Sequence, residues 1–201
     1  MNLGILKYIN FNSLIGEIGI VWEDKTFILK QVLLPELSTR KQNYGNIRYS
    51  GVILETNPDK IIYDYMSRIK DVILGKNVSF DIDSFDFSDL TDFQQAVLRK
   101  QSEIPYGKVT SYKMLAKLVG KPRSARPVAN VLSTNPFPLV IPCHRTVRSD
   151  WTVGGYAGSN DSYYKQFLLE SEGIEIKKGI ISKDYRYPME EFESDKILKS
   201  D

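Results

Sequence analysis

The chain has one cysteine, Cys143, and one histidine, His144, adjacent in the segment Pro142-Cys143-His144-Arg145. A single thiol excludes an internal disulfide, and one Cys with one His cannot build a thiolate zinc site. No staple is available, so 201 residues must hold together by burying an apolar core. A chain of that length can do so as one large domain or two small ones. The pairing also has chemical meaning. A thiol becomes a useful nucleophile when its proton is withdrawn, and imidazole suits that task near neutral pH. Arg145 and Arg148 add positive potential that favours the thiolate. The simpler alternative is an inert cysteine that packs as a small hydrophobe.

Charge is distributed unevenly. Between Arg99 and Arg148 there are ten Lys or Arg against one acid, Glu103, so this segment carries +9 and the remainder −7. A solvated basic face would account for the excess. A basic segment that also holds the Cys-His pair points instead to a polyanion, because phosphate neutralisation dominates nucleic-acid affinity. No run resembles a transmembrane helix, and Met1-Asn2-Leu3-Gly4 lacks the start of a signal peptide. An intracellular, cytoplasmic setting without a membrane partner is expected.

The pattern predicts an α+β chain in two parts. Residues 1–88 read as a small α/β domain with an antiparallel sheet plus a helix. Ile15–Trp22, a turn at Glu23-Asp24-Lys25 and Thr26–Leu34 form a strand-turn-strand pattern. Pro58–Leu74 places Ile61, Ile62, Tyr65, Ile69, Val72 and Ile73 at helical spacing before Gly75. Val78–Ile82 is expected to return as a strand. Asp81, Asp83, Asp86 and Asp89 read as a solvated acidic linker rather than a metal site.

Residues 89–201 read as a mainly helical domain. Thr91-x-x-Gln94 fits a capping box for a helix that stops near Ile104-Pro105. Pro105-Tyr106-Gly107-Lys108 is a turn, Ser111 caps a second helix ending at Gly120, and a third runs roughly from Ser124 to Leu132. This pair is expected to form a winged or plain helix-turn-helix, with Pro127 tolerated in the first turn. Three prolines then bracket a short apolar run, presenting Cys143 on a stiff loop. A glycine-rich stretch, Gly154-Gly155-Tyr156-Ala157-Gly158, precedes a last helix from Ser162 to Glu172. One strand and a frayed tail are expected after Ile176.

Five motifs occur in order: Pro-Tyr-Gly-Lys-Val-Thr-Ser-Tyr, Ser-Ala-Arg, Asn-Pro-Phe-Pro, Ile-Pro-Cys-His-Arg and Gly-Gly-Tyr-Ala-Gly. Over about Thr91 to Gly173 the chain resembles the O6-alkylguanine-DNA alkyltransferase family of suicidal DNA-repair proteins. The resemblance implies direct, irreversible transfer of an alkyl group from O6-alkylguanine, and from O4-alkylthymine, to Cys143. It implies that His144 and Glu172 complete a proton relay through a bridging water, and that Asn135 fixes the turn before the active loop. Tyr112, Pro138, Thr146, Tyr156 and Ala157 would surround the base. Arg126 would fill the gap left by a flipped guanine, with Ser124, Ala125 and Ala129 in the minor groove and Lys113, Lys121 and Ser149 on phosphates. The implied partner is duplex DNA bearing the lesion, met by a monomer needing no cofactor or metal. Pro127 stands where relatives often carry alanine, and Asn160-Asp161-Ser162 looks longer than the matching loop in some of them.

Two other classes share features with this chain. A cysteine hydrolase would need an activated thiol but not the +9 segment. A non-catalytic damage sensor or a helix-turn-helix regulator would explain the basic half, but sensors of this family lack the acceptor cysteine.

Overall fold

The computed structural model describes residues 4–35, 47–158 and 162–187. Leu6–Ser13 (β1) and Gly16–Glu23 (β2) form an antiparallel hairpin that turns at Leu14-Ile15. Leu29–Leu33 (β3) adds antiparallel to β2, and Ile53–Leu54 (β4) adds parallel to β1, giving the order β3-β2-β1-β4. The sheet is therefore mixed rather than antiparallel. β2 is its centre, with Ile18, Ile20, Val21 and Trp22 at 2% exposure or less. Lys60–Ile73 (α1) covers it with the stripe Ile62, Tyr65, Ile69, Val72 and Ile73, spaced for one helical face.

The chain next packs on α1 instead of forming the strand expected at Val78–Ile82. Phe80 stacks on Tyr65 of α1 with centroids 6.4 Å apart, and Arg68 holds the Ser79 carbonyl and lies over the Phe80 ring. These contacts fold the segment back onto α1. Asp81 then caps a 3₁₀ turn, Ile82–Ser84. The following residues are no solvated linker either. Asp86 pairs with Lys30, its amide bonds the Leu29 carbonyl, and Phe85 and Phe87 are both buried against Phe137.

Asp92–Ser102 (α2) starts at Thr91 with the full capping box, Gln94 answering Thr91. Thr110–Ser111 (β5) leads into Tyr112–Leu118 (α3), where the Ser111 hydroxyl accepts from the Met114 amide. Ala125–Ser133 (α4) follows. Pro127 is its third residue, among the first-turn positions whose amides have no intrahelical acceptor, so its missing N–H costs no hydrogen bond. The three helices pack on one another. Thr146–Val147 (β6) pairs parallel with β5, and Tyr163–Ser171 (α5) leads to a small hairpin, Ile176–Lys177 (β7) and Ile180–Ile181 (β8). Two short strands thus stand where one was expected. The Asn160-Asp161 part of the lengthened loop, and the tail from residue 188, lie outside the described residues.

One apolar cluster joins the two halves, with Ile20, Leu29, Ile69, Leu98, Val128, Phe137 and Leu168 all in it. The halves approach each other closely at Gly75, which follows α1 at φ +74, and a Cβ there would sit 2.0 Å from the Ser171 carbonyl oxygen at the end of α5. The Gly75 carbonyl also accepts from the Tyr106 hydroxyl. Gly75→Ala meets both a left-handed backbone and a backbone clash. It should destabilise the protein by about 2 kcal/mol or more, read as a lower urea midpoint at unchanged slope.

Candidate active site

The pairing of β5 with β6, Thr110 opposite Thr146 and Ser111 opposite Val147, sets the start of α3 beside the cysteine turn. From the other side the turn is fed by the end of α4. There the Asn135 carboxamide accepts from the Phe137 amide at 2.9 Å and donates to the Ile141 carbonyl at 3.2 Å. That double contact closes the Asn-Pro-Phe-Pro stretch on itself and aims Pro142 into the core. Gln101 of α2, fully buried, donates to the Pro142 carbonyl at 2.8 Å. Cys143–Arg145 then forms a 3₁₀ turn, all three residues buried.

Cys143 is 5% exposed and borders a cavity of 240 Å³ that Tyr112, Ala129, Tyr156, Ala157 and Lys165 also line. Its Sγ lies 4.0 Å from the Tyr156 hydroxyl. Burial pushes the thiol up, and a hydrogen bond from Asn135, the charge of Lys165 and the Tyr156 hydroxyl pull it back only in part. A thiol in that condition needs a base.

The base stands next to it. His144 is fully buried, its Nε2 lies 2.7 Å from Glu172 Oε1, and its Nδ1 has no protein partner among the described residues. Burial pushes the imidazole down, against the pull of Glu172, so it is neutral. With Nε2–H donated to Glu172, Nδ1 holds the free lone pair. Glu172 owes its own charge to Arg145, whose Nε donates to both carboxylate oxygens at 3.0 Å while Nη1 donates to the Ile104 carbonyl at 2.8 Å. Burial pushes the carboxyl up, but His144 and Arg145 outweigh it and hold it at about 2. The fourth bond to the carboxylate comes from the Gly107 amide at 3.1 Å, in the Pro105–Lys108 turn. Gly107 has φ +69, so the turn itself requires glycine.

The structure brings Cys143, His144, Glu172 and Asn135 together, with Tyr112, Tyr156 and Ala157 around the cavity. Pro138 and Thr146 are buried beside it without lining it, the Thr146 hydroxyl turned to Gln101. Ala129 of α4 lines the cavity as well, and Ser124 and Ala125 are half-buried at the helix start. Arg126, Lys113, Lys121 and Ser149 are exposed. Sequence reasoning read Arg145 only as background potential and missed Lys165 altogether. Lys165 had a signal: with Leu168, Leu169 and Glu172 it repeats at helical spacing on the inward face of α5, a charge inside an apolar stripe. The +9 segment is also less free than its count suggests, since Arg145 is buried, Arg99 pairs with Asp83 and Lys100 with Glu103.

Acid should find this network first. A carboxyl held at about 2 when folded, against 4.5 ordinarily, contributes stability that is present above 4.5 and is lost as pH falls toward 2. The depressed His144 adds a loss that begins as pH falls below 6.5, where the unfolded chain takes up the proton. Urea unfolding should therefore show stability declining on the acid side, most steeply below 4.5. Glu172→Gln should cost about 3 kcal/mol at neutral pH, because Arg145 loses its buried counter-ion, and should lack the steepest part of the acid loss.

Residues 92–174 match the family model described as 6-O-methylguanine DNA methyltransferase, DNA binding domain. The methylated-DNA–protein-cysteine methyltransferase of Methanothermobacter thermautotrophicus is 38% identical over 162 residues, 80% of this chain and 82% of that one. The rat protein of the same name is 40% identical over 81 residues, 40% of this chain and 38% of its own. Among solved structures, Mycobacterium tuberculosis OGT in complex with DNA superposes with a TM-score of 0.67 at 26% identity, covering 83% of this chain and 92% of that one. The archaeal likeness extends across both halves of the molecule, and with the buried Cys-His-Glu constellation it shows that this chain belongs to the methylated-DNA–protein-cysteine methyltransferase family.

Proposed function

We propose that this protein repairs alkylated DNA by moving the alkyl group from O6 of guanine, or O4 of thymine, onto Cys143, once per molecule. The observation that carries this reading is the placement of the sole thiol on the cavity wall, with a neutral imidazole held by a buried carboxylate at 2.7 Å beside it. His144 Nδ1 accepts the thiol proton, through a water that bridges the two neighbouring side chains. The sulfur then forms a bond to the alkyl carbon as the carbon–oxygen bond breaks, and the departing guanine takes up the proton that the thiol lost. Tyr112, pushed up to about 12 mainly by its burial, remains a hydrogen-bond donor toward the base throughout. Tyr156 walls the base, the Ala157 amide meets the guanine oxygen, and the Cys143 carbonyl takes the exocyclic amine.

A base inside a duplex cannot reach a thiol that is 5% exposed, so the nucleotide leaves the stack. α4 enters the minor groove with Ser124, Ala125 and Ala129 allowing close approach, and Arg126 fills the vacated place. Lys113, Lys121 and Ser149 hold phosphates, which position the protein without reading sequence. The acceptor thiol sets this reading apart from a damage sensor.

The product is a thioether, a poor leaving group, and the chain has no second thiol to exchange with it. Intact mass after incubation with methylated duplex should rise by one methyl group and stop there, while sustained turnover would refute the scheme. Arg126→Ala should slow duplex repair by roughly tenfold or more, the cost of an unfilled stack. Reaction with free benzylated guanine, where no base is flipped, should be nearly unchanged. Equal losses on both substrates would remove Arg126 from the flipping step.

A further inference from the structure

Gln101 lies on the inward stripe of α2 with Val97 and Leu98, and it is 0% exposed. An amide buried among aliphatic side chains costs free energy unless both its ends find partners, and a methionine would fill the position without that requirement. Both ends are used here, and on the same loop. Nε2 donates to the Pro142 carbonyl at 2.8 Å, and Oε1 accepts from the Thr146 hydroxyl. Pro142 and Thr146 flank the 3₁₀ turn Cys143–Arg145. A single side chain therefore ties the entry of the cysteine turn to its exit.

The backbone at that entry is tightly bent. Pro142, with φ −78 and ψ 63, makes an inverse γ-turn in which the Cys143 amide donates to the Ile141 carbonyl at 2.7 Å. The Pro142 carbonyl accepts from the Arg145 amide at 2.9 Å, and Gln101 takes its second lone pair. Two carboxamides, Asn135 after α4 and Gln101 on α2, thus hold the consecutive carbonyls of Ile141 and Pro142 just ahead of the sulfur. Past the end of α2, the Ile104 carbonyl accepts from Arg145 Nη1 at 2.8 Å and grips the same turn again.

We infer that Gln101 is a positioning residue for the alkyl transfer, its amide clamping Pro142 to Thr146 so that the turn between them holds the Cys143 sulfur on the cavity wall. This role rests on the alkyl-transfer reading and assigns part of the acceptor's orientation to α2. Gln101 is not among the residues that line the cavity, so its effect falls on the reacting geometry rather than on binding of the base. Displacement at carbon needs the sulfur in line with the departing oxygen, and a misplacement of about 1 Å costs on the order of a hundredfold in rate.

The test is the rate of Cys143 alkylation at rising concentrations of free benzylated guanine, followed by intact mass. Wild type is compared with Gln101→Met, Thr146→Val, the double variant and Thr146→Ser, and thermal melts establish that each is folded. Gln101→Met should lower the limiting rate by roughly tenfold and leave the half-saturating concentration unchanged. Thr146→Val frees one end of the amide and should also slow transfer, while Thr146→Ser, which keeps the hydroxyl, should recover most of that loss. The double variant should be no slower than Gln101→Met alone, because both changes break one clamp. Exchange of the Arg145 amide with deuterium, read by NMR, should quicken about tenfold in Gln101→Met and in Thr146→Val. A folded Gln101→Met with the wild-type limiting rate would overturn the assignment, as would additive losses in the double variant or a loss carried wholly by the half-saturating concentration. Should Gln101→Met fail to fold, the contrast between Thr146→Val and Thr146→Ser carries the same decision. Wild type that iodoacetamide alkylates at Cys143 but benzylated guanine does not would instead refute alkyl transfer, and the amide exchange would still read the clamp.

Discussion

The carboxylate of Glu172 organises this protein. Its side chain accepts from His144, twice from Arg145, and from the amide of Gly107. Those donors belong to the cysteine turn and to the turn between α2 and β5, while Glu172 itself ends α5. One buried charge therefore fixes the mutual placement of three segments far apart in sequence, and it fixes the histidine tautomer as well. The arrangement is worth its desolvation only because Arg145 balances the charge, leaving the imidazole neutral and free to act as a base.

The parts of the fold written in local chemistry were legible in the sequence. The Thr91–Gln94 box, the Ser111 cap and the stripe on α1 each stand where their spacing predicts, because caps and periodicity depend on neighbours within one or two turns. β1 was not legible, since Tyr8, Ile9 and Phe11 are all buried and both strand faces are covered, which erases alternation. β4 has two residues and no pattern at all. The acidic segment misled for a different reason. Asp81, Asp83 and Asp89 are surface charges on a stretch whose aromatics, Phe85 and Phe87, pack on Phe137 from the other half of the chain, and long-range packing leaves no local trace.

The site divides in the same way. Cys143, His144 and Arg145 are contiguous, and Asn135 sits a few residues upstream, so a motif can carry them. The role of Arg145 was hidden because its partner is 27 residues away, and a cation beside a cysteine reads equally well as a field or as a counter-ion. Net charge by segment overstated the free basic surface for the same reason. The cations that remain exposed on α3, α4 and the turn between them are Lys113, Lys121, Arg123 and Arg126.

The N-terminal half also grips the helix that borders this cavity. The Arg48 guanidinium donates to the Thr134 carbonyl at the end of α4, the Arg48 amide donates to Gln31 on β3, and the Val32 amide donates to the Pro136 carbonyl at 2.8 Å. These contacts seize α4 and the Asn135 turn from behind. A load along α4 from its exposed end therefore meets a four-stranded sheet as well as the loop that carries the thiol. The sheet is a buttress that shares that load with the Asn135 turn.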